Sequence, residues 1–216
     1  MSTTPCDGEG YCAAVKSRMY HFIGAVSRGP IRHVFRFRST GEEHLPPEGG
    51  YVLSANHHSN IDPWPLGLPL YPERQLRFMA KSEMYTFPFK PILKAAGAFP
   101  VRRGMGDEEA IRKAVELAKA GEVVAIFPEG TRRNKGVKKR VARPRSGAAR
   151  VALLAGVPLV PAAIGGTESL MKLGPLRVAY GPPIDLSDLD GDDIRRSSKI
   201  ATERLMEAIY ALEKTL

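Results

Sequence analysis

The run SANHHSNIDPWP, from Ser54 to Pro65, puts two adjacent histidines directly after an apolar stretch and a carboxylate, Asp62, a few residues later. An imidazole with a carboxylate is the pair that general base catalysis needs. The carboxylate accepts the Nδ1–H and fixes one tautomer, leaving the other nitrogen to take a proton. Spacing limits where this works. On a continuous helix His57 and Asp62 would lie roughly 140° apart around the axis. They can meet only if 57–61 is a turn and a helix begins near Asp62, and Pro63 suits a first helical position. Other readings use the same residues. Asp62 before Pro63 is also a good N-cap, and Ser59 with Asp62 resembles a capping box, which would make this a solvated turn. The histidines could be metal ligands, although no H-E-x-x-H occurs and no nearby cysteine completes a shell. A serine hydrolase is disfavoured by the lack of a G-x-S-x-G.

Similar groups recur where other apolar runs end. GAFPVRR at 97–103 places Arg102 there, and FPEGTRR at 127–133 places Glu129, Gly130, Thr131 and Arg132. An arginine offers a planar fork of donors to a phosphate, and a glycine–threonine turn offers N–H groups and a hydroxyl. Taken singly, each is an ordinary strand-end charge or turn. Together they suggest one shared crevice.

Elements must carry these groups to that crevice. Apolar or alternating runs predict strands over 33–39, 51–55, 76–80, 98–102, 123–128, 158–164 and 176–181. Helical patterns lie between and around them. One covers 11–27, with Tyr11, Val15, Met19, Phe22 and Val26 at helical spacing; this is either an amphipathic helix in a membrane interface or one packed on the domain. Others cover 107–120, 147–155 and 192–214, the last with a stripe of Ala201, Leu205, Ala208, Ile209 and Leu212. Such alternation predicts a single-domain α/β fold with a largely parallel or mixed central sheet flanked by helices. Its crevice should lie beyond the carboxyl ends of the strands, where Asn56, His57 and His58 follow 51–55. Residues 1–32 are set apart as a helical, possible membrane-contact segment, and 33–216 as the main domain.

Composition narrows the partners. With 43% hydrophobic and 25% charged residues, the 216-residue chain should fold around a core. Its net charge of +9 favours a nucleic acid, an anionic membrane surface or an acidic carrier protein. Between Glu129 and Glu168 no acid occurs, while nine lysines and arginines run from Arg132 to Arg150. Cys6 and Cys12 fit neither a zinc motif nor a disulfide scaffold, so a reducing cytosol is expected. Asp7 and Glu9 do not suit a secretory leader. The longest uncharged stretch, Val151–Thr167, is broken by Pro158 and Pro161, so no transmembrane helix is expected. No helix-turn-helix or RNA-binding signature accompanies the charge.

The motifs resemble those of the glycerolipid acyltransferases that include 1-acylglycerol-3-phosphate acyltransferase. An N-H-x4-D block is matched by Asn56, His57 and Asp62, and an A-K-x-E block by residues 80–83. A G-x4-R block is matched by Gly97 and Arg102, F-P-E-G-T-R by Phe127 to Arg132, and V-P-x-x-P by Val157, Pro158 and Pro161. The order agrees, and the resemblance spans roughly residues 33–182. Two features depart from it: Arg133 replaces the usual serine, and the basic insert before SGAARVALLAG is long.

The resemblance implies acyl transfer in phospholipid biosynthesis, from a thioester of coenzyme A or acyl carrier protein to a lysophospholipid hydroxyl. With 1-acylglycerol 3-phosphate as acceptor the product would be phosphatidic acid; glycerol 3-phosphate or another lysolipid is the alternative acceptor. His57 would act as base and Asp62 would orient it. Lys81, Arg102 and Arg132 would hold phosphate, with Glu129, Gly130 and Thr131 around the glycerol. No metal or cofactor is implied beyond the acyl thioester, and nucleic acid is not expected as a partner. A peripheral place on the cytoplasmic face of an anionic membrane follows. The non-enzymatic alternative is a basic membrane- or nucleic-acid-binding protein.

Overall fold

Tyr51–Ala55 is wholly buried because it is the middle strand of the sheet. In the computed structural model, which describes residues 18–101, 107–130, 144–189 and 193–216, seven strands form one sheet. These are β1 (Arg38–Thr40), β2 (Tyr51–Ala55), β3 (Leu76–Lys81), β4 (Ala98–Val101), β5 (Val123–Ile126), β6 (Leu159–Gly165) and β7 (Arg177–Tyr180). Their order is β1-β7-β6-β2-β5-β3-β4. Strands β6, β2, β5, β3 and β4 run parallel. Strand β7 is antiparallel to β6, and β1 is parallel to β7, so the sheet is mixed.

Both faces are covered, which explains why the strands read as nearly continuous apolar runs. Helices α4 (Asp107–Lys119), α5 (Gly147–Ala155) and α6 (Ile194–Glu213) cover one face. There Ala114, Val151 and Leu205 pack with Val52, Val124 and Leu159. Ala201, Leu205 and Ile209 of the expected α6 stripe are completely buried. On the other face, Tyr51, Leu53 and Val160 pack with Leu66 of α2 (Pro63–Gly67). Helix α1 (Arg18–His33) adds Ile31 to Leu68 and Leu176. A short α3 (Phe89–Ala95) connects β3 to β4.

Two expectations need correction. Residues 33–39 were expected as one strand, but His33 closes α1 and only Arg38–Thr40 pair with β7. Phe35 and Phe37 instead pack beside Ile31 and Leu176, so their alternation reflects core filling rather than a long ladder. Helix α1 also runs beyond the expected end at residue 27, through Pro30; the Val34 N–H still bonds the Pro30 carbonyl at 2.8 Å. The part of the expected helix before Arg18 lies outside the described residues.

Because β6, β2, β5, β3 and β4 are parallel, all their carboxyl ends lie along one edge. The residues after β2, β3 and β5 therefore share a crevice, the usual ligand position in an open α/β sheet.

Candidate active site

The turn after β2 is held at both ends. Buried Asn56 donates from Nδ2 to the Ile164 carbonyl at 2.8 Å, and its Oδ1 accepts the Ile164 N–H at 2.7 Å. This two-way clamp fixes the end of β2 to β6. Residues 57–62 then leave the strand as a turn, and α2 begins at Pro63. Asp62 is buried beneath the turn. Its Oδ2 accepts the backbone N–H groups of His58 (2.7 Å) and Ser59 (2.9 Å) and meets His57 Nδ1 at 2.8 Å.

The predicted histidine–carboxylate contact is thus present, made across a bend. Asp62 makes no side-chain cap bond to α2, so its carboxylate serves the turn and the imidazole instead. An ionised carboxylate only accepts hydrogen bonds. Nδ1 must therefore carry the proton, and in the neutral ring Nε2 carries the lone pair. The Asp62 side chain is 0% exposed and that of His57 is 18% exposed. The orienting group is hidden while the imidazole reaches the crevice.

Phe127 joins the third motif to the first. It follows β5, and its ring stacks on the His57 imidazole with centroids 4.2 Å apart and planes 18° from parallel. Beyond it, Glu129 is buried. Gly130 turns the chain with φ 68°, and a Cβ there would lie 2.5 Å from Arg145 Nε. Gly97 of the second motif is structural in the same sense. It adopts φ 91°, and a Cβ would lie 2.2 Å from the Leu76 carbonyl oxygen, so only glycine lets β4 start this close to β3.

His57, Lys81, Gly130 and Arg145 line one cavity of about 870 Å³. Its other wall is apolar and includes Met79, Val101 and Ile111. Ser146 and Gly147 also line it, so the amino end of α5 faces the space and favours negative charge there. The cavity therefore combines an imidazole, cations and an apolar wall.

Of the predicted site residues, His57, Lys81 and Gly130 line the cavity, Asp62 backs His57, and Glu129 adjoins Gly130. Arg102, Thr131 and Arg132 lie outside the described residues, as does most of the basic run that follows. Two basic residues of that run are described, and both are engaged within the fold. Arg150 forms a bidentate pair with Glu108 of α4 at 2.6 and 2.8 Å, and its guanidinium lowers the Glu108 pKa. Arg145 lines the cavity. Neither Phe127's stacking nor Arg145's position was foreseen; the only signals were an aromatic in the third motif and an arginine next to a helix start.

Comparison with known proteins shows the family and the fold. The sequence model described as Acyltransferase matches residues 36–165. The chain is 33% identical over 179 residues to the 1-acyl-sn-glycerol-3-phosphate acyltransferase of Bacillus subtilis (strain 168), covering 81% of this chain and 87% of that one. It is 28% identical over 199 residues to the chloroplastic 1-acyl-sn-glycerol-3-phosphate acyltransferase LPAT1 of Arabidopsis thaliana, covering 86% of this chain but 54% of that one. Its fold matches the crystal structure of the 1-acyl-sn-glycerophosphate (LPA) acyltransferase of Thermotoga maritima with TM-score 0.67 and 22% identity, over 92% of this chain and 81% of that one.

Proposed function

Because the chain belongs to the acyltransferase family that includes the 1-acyl-sn-glycerol-3-phosphate acyltransferases, and is a glycerolipid acyltransferase, we propose that it acylates the free hydroxyl of 1-acylglycerol 3-phosphate to give phosphatidic acid. The donor is a fatty acyl thioester of coenzyme A or acyl carrier protein. The observation that carries this reading is the face-to-face stack of His57 on Phe127, which brings the first and third motifs to one cavity.

A lipid hydroxyl is a poor nucleophile at neutral pH. His57 Nε2 takes its proton as the oxygen attacks the thioester carbonyl, and Asp62 holds the ring and stabilises the imidazolium. Collapse of the intermediate breaks the C–S bond, and the proton passes from His57 to the departing thiolate. General base catalysis of this kind contributes roughly 10²–10⁴-fold. No enzyme-bound acyl group is needed, because the acceptor supplies the attacking oxygen.

Lys81, Arg102 and Arg132 hold the acceptor phosphate, with Arg145 as a further cation. Glu129, Gly130 and Thr131 surround the glycerol. The apolar wall of Met79, Val101 and Ile111 suits hydrocarbon. Such positioning lowers the entropic part of the barrier.

The protein works peripherally, on the cytoplasmic face of an anionic membrane. Among the described residues no helix is long and apolar enough to cross a membrane. Helix α1 leaves Met19, Phe22 and Val26 exposed along one stripe, and the chain's net charge of +9 suits anionic lipid.

The deciding experiment gives one labelled acyl thioester a panel of acceptors and assays both carriers. Thioester cleavage should require 1-acylglycerol 3-phosphate and release phosphatidic acid. Preference for glycerol 3-phosphate or another lysolipid would move the acceptor assignment, and acceptor-independent cleavage would overturn direct transfer.

A further inference from the structure

A second apolar surface lies in a segment that none of the family motifs explains. Met84, Phe87, Phe89 and Ile92 fall within nine residues of each other and are 39, 92, 59 and 49% exposed. Phe87 gives the fold almost no buried area. Helix α3 is secured on its inner side, where Ala95 is buried and Gln75 Nε2 donates to the Ala95 carbonyl at 2.7 Å. Its other side has no covering element among the described residues.

Topology places this surface at the crevice. Strands β3 and β4 are parallel neighbours, so the chain leaves β3 at the same sheet edge that carries His57. Lys81, the last residue of β3, lines the cavity, and the apolar segment begins three residues later at Met84. Val101, the last residue of β4, lines it too. The segment therefore starts at the cavity edge of the sheet, and α3 carries it back toward Gln75, which precedes β3.

The charge around them selects the partner. From Lys81 to Val101 there are three lysines, at 81, 90 and 94, and one acid, Glu83. Large apolar side chains projecting among lysines are complementary to a phospholipid interface: aromatics enter the acyl boundary while ammonium groups stay among anionic headgroups. An acidic protein surface would match the lysines but would leave Phe87, Phe89 and Ile92 facing polar groups.

We propose that residues 84–92 form a wedge that inserts into an anionic phospholipid bilayer and seats the cavity mouth on the lipid surface, separately from α1. The inference rests on the reading that the acceptor and product are membrane lipids. It assigns this segment the task of letting a lysolipid move from the bilayer to His57 without crossing open water.

The test combines Phe87→Ser and Phe89→Ser in the full chain. Flotation with vesicles of phosphatidylglycerol and phosphatidylcholine measures partition. Turnover is followed on vesicle-embedded acceptor and on a short-chain acceptor below its micellar concentration. Partition should fall at least tenfold and vesicle turnover should fall with it, while turnover on the dispersed acceptor stays within twofold. A Phe87→Trp variant in a Trp64→Phe background should be quenched by lipids brominated in their acyl chains. Unchanged partition together with absent quenching would overturn the wedge. So would a higher KM for an acyl carrier protein donor at unchanged vesicle partition, since the patch would then dock a protein. If the parent protein acylates no lipid at all, the functional reading fails, yet partition and quenching still decide the wedge.

Discussion

The imidazole of His57 lies face to face with the Phe127 ring, 4.2 Å between centroids, although the two residues are seventy apart in the chain. Adjacent parallel pairing makes this possible: β2 and β5 are neighbours in register, Ser54 opposite Ile126, so the residues that follow them emerge side by side. The Ser54 hydroxyl donates to the Ile126 carbonyl at 2.8 Å and strengthens the junction. One side of the imidazole is thereby closed by an aromatic surface, and Asp62 holds its edge.

Truncating the ring tests that closure. Phe127→Ala should lower kcat by roughly 2- to 12-fold, corresponding to the ~0.5–1.5 kcal/mol typical of an aromatic pair. Phe127→Tyr should stay near the parent value. Equal loss in both variants would mean that something other than the stack determines the effect.

The two histidines should separate cleanly. His57 meets Asp62 through its ring, whereas His58 meets it through its backbone N–H, which any residue other than proline supplies. His57→Ala is expected to reduce acyl transfer by about 10²–10⁴-fold, the usual contribution of general base catalysis. His58→Gln should retain most of it. The opposite ranking in an acyl-transfer assay would reverse the assignment of the base.

Asp62→Asn preserves shape but removes the acceptor-only character of the side chain. One oxygen now takes the His57 ring and two backbone N–H groups. An amide can offer that arrangement only by turning its NH₂ away, and it cannot stabilise an imidazolium by charge. A drop in kcat of at least about 100-fold is expected, with a stability loss of about 1–3 kcal/mol from weakened buried hydrogen bonds. Near-parental turnover would show that the carboxylate only shapes the loop.

Legibility followed how local each feature is. The His57–Asp62 contact could be read because five residues and a following proline fix the geometry of a turn. The buried strands were readable from apolar runs. Strand order was not, since the reversal of β7 and β1 depends on which edges meet in space. Helix α3 was hidden by Pro88 and Pro91; Pro91 sits in the first helical turn, where a missing N–H removes no intrahelical bond. Helix α1 passes the Gly29–Pro30 pair because its last turn bonds from Val34 back to the Pro30 carbonyl. Arg145 is one of nine basic residues in an acid-free run, and only the return of the chain beside Gly130 brings it to the cavity.

Alkaline stability should expose a buried tyrosine. Tyr51 is completely enclosed, and burial pushes its hydroxyl up to about 12, opposed in part by Arg74. Its guanidinium lies 5.0 Å from the ring centroid. A raised folded pKa means that the native state holds the proton more tightly than the unfolded chain. The contribution is therefore full below about pH 10 and is lost as pH rises toward 12, amounting to about 3 kcal/mol. The Tyr51 hydroxyl makes no hydrogen bond among the described residues, so Tyr51→Phe should fold normally at pH 7. Urea midpoints measured from pH 9 to 12 should fall less steeply in that variant. Parallel curves would mean that Tyr51 does not contribute to the alkaline limb.

Gly130 links stability to the site. Its φ of 68° is left-handed, and an added Cβ would meet Arg145 at 2.5 Å from Nε and 2.7 Å from Cδ. Alanine there costs about 1–2 kcal/mol in backbone strain, which corresponds to a Tm decrease of about 2–8 °C for a chain of this size. The methyl group must also displace Arg145, whose side chain otherwise lines the cavity with His57 and Lys81. Gly130→Ala should therefore raise the acceptor KM more than it lowers kcat, because the base and its carboxylate stay in place. Arg145→Ala, which has no backbone strain, should reproduce the KM increase with little change in Tm. If Gly130→Ala lowers Tm but neither variant raises the acceptor KM, Arg145 holds the turn and does not contact the phosphate.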